Sequence, residues 1–591
     1  MQRKGKFLAL AIVLIILGGL LSSAIDTDFG AVKTERIYLV DNDGYTVTAD
    51  IFIPKTATAE SPAPAMIITP GGDCPSDIGM PWATEIARRG YVVALMDYTG
   101  CGDTEVNPNA QYWTANGAME LDTVYDFLAS RAFVDSEQIG CAGHSMGSLY
   151  SYRLSTKRNV SLVVSDVLFN DALPEYDFNF VQISGTHDEG LLARLGNGNF
   201  DAIFSNEFLC SVFGVDEIQP NTLYGSFENR TARIFYTLNQ THQDDMISGQ
   251  FISLLVSSVM DAMDAPNPIA ADNMIYGWKI VGLGAAIIGL VMFLFSVAGI
   301  LLDSSLFGDL KLAAPERSAG FEFKSKKWWI AAAIYTLIPV AFFFWGTGVG
   351  NKMASNKLFQ LGTTPNGYLV WTLFSAVGML IFFLVYHFAY GKKRGENAAS
   401  YGFATSDSGH FSIKYILKSA LLALILFMLA YYIVLLLYRY ANTDLHIWTS
   451  SIRPIRGARC ETLPWYCLGL LPYFALLMLA GNAVPFGKPN KDGKGMTASV
   501  IGSAMIGLVG MLILLLIHEV TLRANGPFTT TNFAHFYIDL LTNTLPAFGI
   551  ASALAIYIRK KTNSFYAGIL IGVAIVGFCM VSTNCVAMVI S

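Results

Sequence analysis

The most informative stretch of the chain is CAGHSMG, residues 141–147. It contains the pattern G-x-S-x-G, with Ser145 between Gly143 and Gly147. A β-rich run at 138–142 precedes the pattern, and a helical run follows from Met146. A sharp turn from a strand into a helix holds a serine in a strained conformation, and the flanking glycines prevent clashes. The stretch therefore predicts a strand that presents Ser145 at its carboxyl end.

Outward from this stretch, residues 26–272 alternate strands with helices; we call this part the head. Strands are predicted at 36–40, 46–54, 65–69, 91–96, 138–142, 161–165, 178–184 and 232–238, and helices at 78–89, 115–131, 146–157 and 245–265. The first two strands are expected to form a hairpin with Asp43 and Gly44 in its turn. From residue 65 the alternation predicts a mostly parallel sheet with helices on both faces.

Two side chains follow Ser145 at the ends of later strands. Asp188 comes just after strand 178–184, and His242 comes just after strand 232–238. Open α/β sheets place their sites at the carboxyl ends of strands, and serine, acid, histidine is the order of a hydrolytic triad. We therefore expect Ser145 to attack an acyl carbonyl, His242 to take its proton, and Asp188 to orient and stabilise His242.

Other assignments stay open at this stage. His187 is an alternative partner for Asp188, and Asp166, after the sixth strand, is an alternative acid. A metal site built from His187, Asp188 and Glu189 lacks the spacing of a ligand pair. No metal and no cofactor is therefore expected.

An oxyanion hole requires two backbone N–H groups. One is that of Met146, directly after the serine, and the other comes from the turn after the third strand. That turn reads TPGGDC, residues 69–74, and the Gly72 N–H is the expected second donor, with Asp73 as the alternative.

The head resembles the α/β-hydrolase superfamily, and within it the branch similar to dienelactone hydrolases and polyester hydrolases. The resemblance is carried by TPGG at 69–72, GYVVALMDY at 90–98, GHSMG at 143–147, GTHD at 185–188 and TH at 241–242. It implies an α/β-hydrolase fold and cleavage of esters, lipids, peptides or thioesters. Ser148 departs from it, because many members have glycine there. The long interval between Asp188 and His242 also departs from it and makes 190–230 an insertion expected to be a lid or a dock, with Phe200, Phe204, Phe208 and Phe213 in it.

Apolar segments of the length that spans a bilayer lie outside the head. The first, within residues 1–25, is an anchor or a signal segment, and its length favours an uncleaved anchor. Residues 273–591, which we call the helical region, contain eight more, at about 276–302, 328–346, 368–390, 415–438, 464–485, 498–520, 541–558 and 564–589. The sequence thus predicts an all-α transmembrane bundle attached to the head.

Basic residues predict the orientation of this bundle. One set of connections carries most of them: Lys311, Arg317, Lys324, Lys326, Lys327, Lys392, Lys393, Arg394, Lys488, Lys491, Lys494, Arg559, Lys560 and Lys561. By the positive-inside rule this side is cytoplasmic, together with the N-terminus, and the head is extracytoplasmic. The loop 439–462, with four arginines, is discordant. The localisation expected is the cell membrane, with several passes.

Composition excludes other classes of protein. Of 591 residues, 53% are hydrophobic and 14% are charged, whereas soluble chains are about 25% charged. This balance excludes a disordered protein, a coiled coil and a nucleic-acid binder. Residues 26–274 contain 34 acidic and 12 basic residues, so the head is acidic.

Cysteines are few, eight in all. If they lie outside the cytoplasm, Cys74 can pair with Cys101 and Cys460 with Cys467. Cys579 and Cys585 are expected to be packing residues.

The sequence as a whole predicts a membrane-integral serine hydrolase that cleaves an ester or a related acyl bond through an acyl-enzyme intermediate at the extracytoplasmic face. An acyltransferase with the same triad, or a non-catalytic hydrolase-like sensor or binding module, are the alternatives. Expected partners are the lipid bilayer and a small-molecule, lipid or lipid-linked acyl substrate, with no nucleic acid. The oligomeric state stays open.

Overall fold

The computed structural model describes residues 2–110, 119–167, 177–194, 199–406, 410–447, 450–487, 495–526 and 534–587. Several predicted features lie outside these ranges: residues 115–118 of one helix, 195–198 of the phenylalanine-rich segment, 588–589 of the last helix, and the loop lysines Lys488, Lys491 and Lys494.

The head is built on one mixed sheet of eight strands. Its strands are β1 (Val32–Val40), β2 (Thr46–Pro54), β3 (Ala63–Thr69), β4 (Val92–Met96), β5 (Val134–Gly143), β6 (Leu162–Ser165), β7 (Asn179–Gly185) and β8 (Arg233–Leu238), in the order β1-β2-β4-β3-β5-β6-β7-β8. The predicted hairpin of β1 and β2 is confirmed, and β2 also pairs antiparallel with β4. From β4 through β3 to β8 all pairings are parallel, as expected.

Helices cover both faces of this sheet. The first helices are α1 (Gln2–Asp26), α2 (Met80–Arg88), α3 (Met119–Ala129), α4 (Met146–Ser155), α5 (Glu189–Arg194), α6 (Glu207–Phe213) and α7 (Gly249–Ala262). Successive residues of a strand point to opposite faces. Accordingly, Ala65 and Ile67 pack in one core with α3, α4 and α6, whereas Met66 and Ile68 pack in a second core with α2 and α7.

The helical region follows the head. Its helices are α8 (Tyr276–Asp303), α9 (Lys326–Ala341), α10 (Phe343–Gly350), α11 (Thr363–Tyr386), α12 (Ala398–Tyr401), α13 (Ile413–Tyr440), α14 (Ala458–Ala480), α15 (Met496–Asn525), α16 (Ala534–Asp539), α17 (Leu541–Thr562) and α18 (Tyr566–Thr583), with a short hairpin of β9 (Leu445–Ile447) and β10 (Ser450–Ile452) after α13. Across the described residues, nine helical segments, α1 among them, are long and apolar enough to cross a membrane. They coincide with the nine predicted segments.

The first segment, α1, packs along α8. Lys279 Nζ donates a hydrogen bond of 2.6 Å to the carboxylate of Asp26, and both side chains are buried. Small residues let the two backbones approach closely, because a Cβ atom on Gly18 would clash with Gly282 and Ala286. This packing favours the uncleaved anchor, which stays a prediction.

Neither of the two cysteine pairings that the sequence allows is formed. Cys101 of the head is bonded to Cys585, which follows α18, and the two are separated by 484 residues. Cys74, Cys460 and Cys467 are free. Cys585 therefore has a covalent role, whereas Cys579 is a free thiol, half-buried in α18. The sequence gives no hint of this pairing because it depends on where α18 ends relative to the head.

The arginine-rich loop after α13 contacts the acidic head. Arg459 donates hydrogen bonds to the carbonyl oxygens of Gly100 and Gly102 at 2.8 and 2.6 Å. Ser451 and Arg453 both contact the carboxylate of Asp77. These contacts explain why the loop 439–462 has four arginines although the other connections on its side of the bundle carry few basic residues.

The phenylalanines of the segment 190–230 pack mainly into the head. Phe204 lies against Phe235 at 5.3 Å between centroids and Phe213 against Phe180 at 6.1 Å. Phe200 and Phe208 are partly buried against the same core. These rings cover apolar surface at the β8 edge of the sheet, whereas α5, where the segment begins, contacts α16 of the helical region. The lid or dock stays a prediction.

Candidate active site

Ser145 occupies the turn between β5 and α4. Its backbone has φ 55° and ψ −118°, a strained conformation for a residue with a side chain. The turn is so tight that a Cβ atom on Gly143 would clash with the backbone of Gly147. Ser145 is partly exposed although its neighbours are buried. The sequence pattern therefore forms the predicted strand-turn-helix unit.

Asp166 and Ser148 hold this turn from the side of β6. Asp166 Oδ1 accepts a hydrogen bond of 2.7 Å from the Ser145 backbone N–H and another of 2.6 Å from Ser148 Oγ. Ser148 Oγ also lies 2.8 Å from the carbonyl oxygen of Gly143. A glycine at 148 would lack these contacts, which accounts for one departure from the resembled family. Asp166, the alternative acid, therefore supports the turn instead of orienting His242.

The turn after β3 lies over Ser145. A Cβ atom on Gly71 would be 3.4 Å from the Cβ of Ser145, and one on Gly72 would be 3.5 Å from the sulfur of Met146. The two predicted oxyanion donors, the N–H groups of Met146 and Gly72, thus belong to two backbone segments in contact. Asp73, the alternative, has φ 59°, and its carboxylate accepts a hydrogen bond of 2.9 Å from the Cys585 backbone.

Asp188 and His242 lie next to each other at the carboxyl ends of β7 and β8. His242 Nδ1 is 2.8 Å from Asp188 Oδ2, and Asp188 Oδ1 accepts a hydrogen bond of 2.7 Å from the Leu191 backbone. Both residues are buried. The side chain of His187 is half-exposed, and the Asp188 carboxylate is bonded to His242 instead. The geometry thus disfavours His187 as the partner.

The contact between His242 and Asp188 shifts the pKa values of these two residues in opposite directions. Burial lowers the pKa of His242, but the charge and hydrogen bond of Asp188, with the charges of Asp166 and Glu189, outweigh burial and raise it well above its usual value. Burial raises the pKa of Asp188, but His242 and the Leu191 N–H outweigh it and lower that pKa. Asp188 is therefore arranged to stabilise an imidazolium.

His144, the residue before the serine, was missed by sequence reasoning. Its ring stacks on that of His242 with centroids 4.6 Å apart, and its Nε2 lies 3.2 Å from the His242 carbonyl oxygen. His242 is thereby placed beside the Ser145 turn. Within the described contacts no hydrogen bond joins Ser145 Oγ to the imidazole of His242. The predicted triad requires a side-chain movement that closes this contact, because catalytic hydrogen bonds often tighten only when substrate binds.

Side chains of the helical region lie behind the Asp188–His242 pair. Glu189 accepts a hydrogen bond of 3.3 Å from the His242 backbone N–H, and Asp539 of α16 lies beside Glu189. Burial raises the pKa values of Glu189 and Asp539 well above the usual range; the charge of Asp539 adds to this effect at Glu189, and the charge of Glu519 adds to it at Asp539. His518 Nε2 of α15 is 2.6 Å from Asp539 Oδ1. These side chains cover the back of the Asp188–His242 pair.

The loop that carries His242 is held by the same helices. Arg523 of α15 lies 3.0 Å from the Asp244 carboxylate, and Thr542 Oγ1 of α17 donates a hydrogen bond of 3.2 Å to Gln243. Residues of α15, α16 and α17 thus lie against Glu189 and against the loop that carries His242.

Two groups of side chains lie close enough together to hold a cation: His144, Asp166, His242 and Asp245, and, separately, His518, Glu519 and Asp539. In the first group, hydrogen bonds to Asp188, Ser145 and Ser148 already engage His242 and Asp166. The expectation that the site has no metal stays a prediction.

No family model and no curated protein matches this chain. Among solved structures, DcsB in complex with its substrate analogue is 23% identical over 24% of this chain and 48% of its own, with a TM-score of 0.20, so the chain spans about half its length. A Pyrococcus furiosus esterase is 12% identical over 40% of this chain and 96% of its own, with a TM-score of 0.28. A dienelactone hydrolase-like promiscuous phosphotriesterase from metagenomic libraries is 13% identical over 44% and 99%, with a TM-score of 0.27. Scores this low carry no argument about fold or activity.

Proposed function

We propose that this chain is a membrane-integral serine hydrolase that cleaves an ester or a related acyl bond. The observation that carries the proposal is the buried hydrogen bond between His242 Nδ1 and Asp188 Oδ2, beside the strained turn at Ser145. An α/β-hydrolase fold is part of the proposal. The eight-stranded sheet with the serine after β5, the acid after β7 and the histidine after β8 supports it.

The chemistry follows from this arrangement. Ser145 Oγ attacks the carbonyl carbon while His242 Nε2 accepts the hydroxyl proton, and Asp188 stabilises the imidazolium. The N–H groups of Met146 and Gly72 bind the oxyanion of the tetrahedral intermediate. The bond to the leaving group then breaks as His242 returns the proton to it. Water, activated by the same imidazole, hydrolyses the acyl-enzyme and regenerates Ser145.

The wall of the site suggests the class of substrate. A cavity of about 70 Å³ lies beside the proposed oxyanion turn, with Gly72 and Asp73 on one wall. The helical region supplies the other wall, with apolar side chains (Tyr368, Phe548, Met580) and polar ones (Thr364, Asn543, Thr583). Aromatic and apolar walls stabilise hydrocarbon. We infer that an amphiphilic acyl compound, a lipid or a lipid-linked molecule, fits the site best.

The head is proposed to face the extracytoplasmic side. A disulfide between Cys101 and Cys585 supports this side, because disulfides persist in oxidising compartments. The excess of basic residues in the opposite connections supports the same orientation.

Acyl transfer is a second candidate. Asp188 and His242 are buried under α15, α16 and α17, and a covered site excludes water from the acyl-enzyme. Turnover in the presence of a competing alcohol separates the two reactions. Hydrolysis yields the free acid alone, whereas acyl transfer yields the new ester in an amount that rises with the concentration of alcohol.

The proposal is tested by covalent labelling of the purified full chain with a fluorophosphonate probe. We expect Ser145 to be labelled, and Ser145→Ala to lose both labelling and turnover by at least about 10³-fold. Ser130→Ala, an exposed serine of the head, is the matched control and should react like the unmodified chain. Undiminished turnover in Ser145→Ala would refute the assignment. Stable folding without any labelling would instead favour a non-catalytic binding module.

A further inference from the structure

A large cavity lies in the helical region, away from the head. Its volume is about 370 Å³, and its walls come from α9, α14, α15 and α17 with their connections. It opens near the end of α17 where Arg559 and Lys560 stand, whereas Thr542 at the other end contacts the head. At 1.5 Å per residue, about 25 Å separates the two ends of this helix. The cavity is therefore a site distinct from Ser145.

Two neighbouring cations line this cavity without a described counter-ion. Arg559 and Lys560 are both half-buried, and within the described residues no carboxylate lies within 4 Å of either. The described hydrogen bond of Arg559 is a long one, 3.4 Å to the carbonyl oxygen of Met478. Partly desolvated cations side by side are unfavourable unless an anion binds between them. The charge of the lining thus indicates an anionic ligand.

The rest of the lining is mixed. It includes the polar residues Asn482, Asn563, Ser503 and Ser552 and the apolar residues Leu477, Leu508 and Ile556. Gly507 contributes no side chain there, and a Cβ atom on it would meet Tyr335 and Leu477 only at ordinary contact distances, 3.5 and 3.6 Å. A lining with both polar and apolar side chains matches an amphiphile with a charged head group.

We propose that this cavity binds a phosphate-bearing anion, with the phosphate held by Arg559 and Lys560. Arginine binds phosphate in a bidentate manner, and basic pockets between transmembrane helices hold anionic lipid head groups. The same end of the bundle carries Lys326, Lys327, Lys392 and Lys393, and anionic phospholipids are abundant in the cytoplasmic leaflet. The phosphate belongs either to a phospholipid of the bilayer or to a free phosphate-containing anion.

Native mass spectrometry of the delipidated full chain tests the site, with phosphatidylglycerol and phosphatidylcholine as probes. We expect phosphatidylglycerol to bind about tenfold more tightly, and Arg559→Gln and Lys560→Gln to abolish that preference. Lys561→Gln is the matched control, because it removes the same charge from the same helix outside the cavity lining. Circular dichroism and gel filtration verify that each variant is folded. Equal binding of the two lipids together with no binding of inorganic phosphate, a preference retained in Arg559→Gln, or an equal loss in Lys561→Gln would overturn the proposal.

Two further measurements distinguish a phospholipid from a free anion as the source of the phosphate. Gly507→Leu fills the part of the cavity beside Leu477 and is expected to weaken phosphatidylglycerol binding while leaving inorganic phosphate binding unchanged. If millimolar inorganic phosphate displaces phosphatidylglycerol, and Gly507→Leu leaves phosphatidylglycerol binding unaffected, the ligand is a free anion. Loss of lipid binding in Gly507→Leu without competition by phosphate would identify the lipid head group.

Discussion

The guanidinium of Arg453, from the loop after α13, lies 2.8 Å from the carboxylate of Asp77 in the head, and both side chains are only 2% exposed. The same guanidinium is 3.4 Å from Asp97. Burial raises the pKa of Asp77 to about 6, even though Arg453 acts to lower it. A cation of the helical region is therefore enclosed within the head and holds the two parts together.

Removal of that cation should weaken the junction. Arg453→Leu removes the closest cation from the buried carboxylates of Asp77 and Asp97, and we expect a loss of about 3–5 kcal/mol, because removing one partner of a buried ion pair is strongly destabilising. Differential scanning fluorimetry of the purified chain measures the effect. Arg456→Leu, an exposed arginine of the same loop that contacts Tyr38 at 3.2 Å, should change the midpoint little. Equal midpoints for the two variants would argue against the role of Arg453.

Asp188→Asn should keep the packing but lose the charge that stabilises the His242 imidazolium. We expect kcat/KM for an activated ester to fall by about 10³-fold or more. His187→Asn alters the adjacent, half-exposed residue and should retain activity. Should His187→Asn be the inactive variant and Asp188→Asn the active one, the triad would have to be reassigned.

The pH dependence of the reaction should report the raised pKa of His242. The imidazole acts as a base only when it is unprotonated, so kcat/KM should rise with pH, with a midpoint above the usual value of about 6.5. Asp166→Asn removes a nearby negative charge and should move the midpoint to lower pH. Asp126→Asn, at a surface pair with Arg158, should leave it in place. A midpoint unmoved by Asp166→Asn would show that another group titrates.

The disulfide between Cys101 and Cys585 should be found by mass spectrometry of non-reduced peptides. We expect Cys101→Ser with Cys585→Ser to lower the free energy of unfolding by about 2–5 kcal/mol. Cys460→Ser, which alters a free, exposed cysteine, serves as the control. A cross-linked peptide that contains Cys74 in place of Cys585 would contradict the pairing.

The proposed orientation can be tested with a membrane-impermeant maleimide on intact cells. Cys460 is free and exposed near the arginine-rich loop, so it should be labelled from outside. In a Cys460→Ser background, Lys393→Cys should be labelled only after permeabilisation, because position 393 lies on the opposite side of the bundle. The reverse result would invert the topology.

Local patterns predicted a good part of this fold. The alternation of strands and helices in the head and the apolar lengths of the nine segments were readable because each depends on a few neighbouring residues. Asp188 and His242 were expected to meet because both follow neighbouring parallel strands, and the structure brings them together, while their catalytic roles stay predictions. The bond of Cys101 to Cys585, the stack of His144 on His242 and the burial of Arg453 were missed, because each depends on distances between segments far apart in the chain.

The cysteine pairing also sets an order of events during biosynthesis. Cys101 emerges early, and its partner is made 484 residues later. At about 5–20 residues per second, this interval lasts roughly 25–100 s. The thiol of Cys101 must stay unpaired for that interval, and the covalent closure of the head can follow only after α18 and Cys585 have been made. In the proposed orientation, α18 must by then also have been inserted into the bilayer. Oxidation of this pair would thus mark the chains whose insertion is complete.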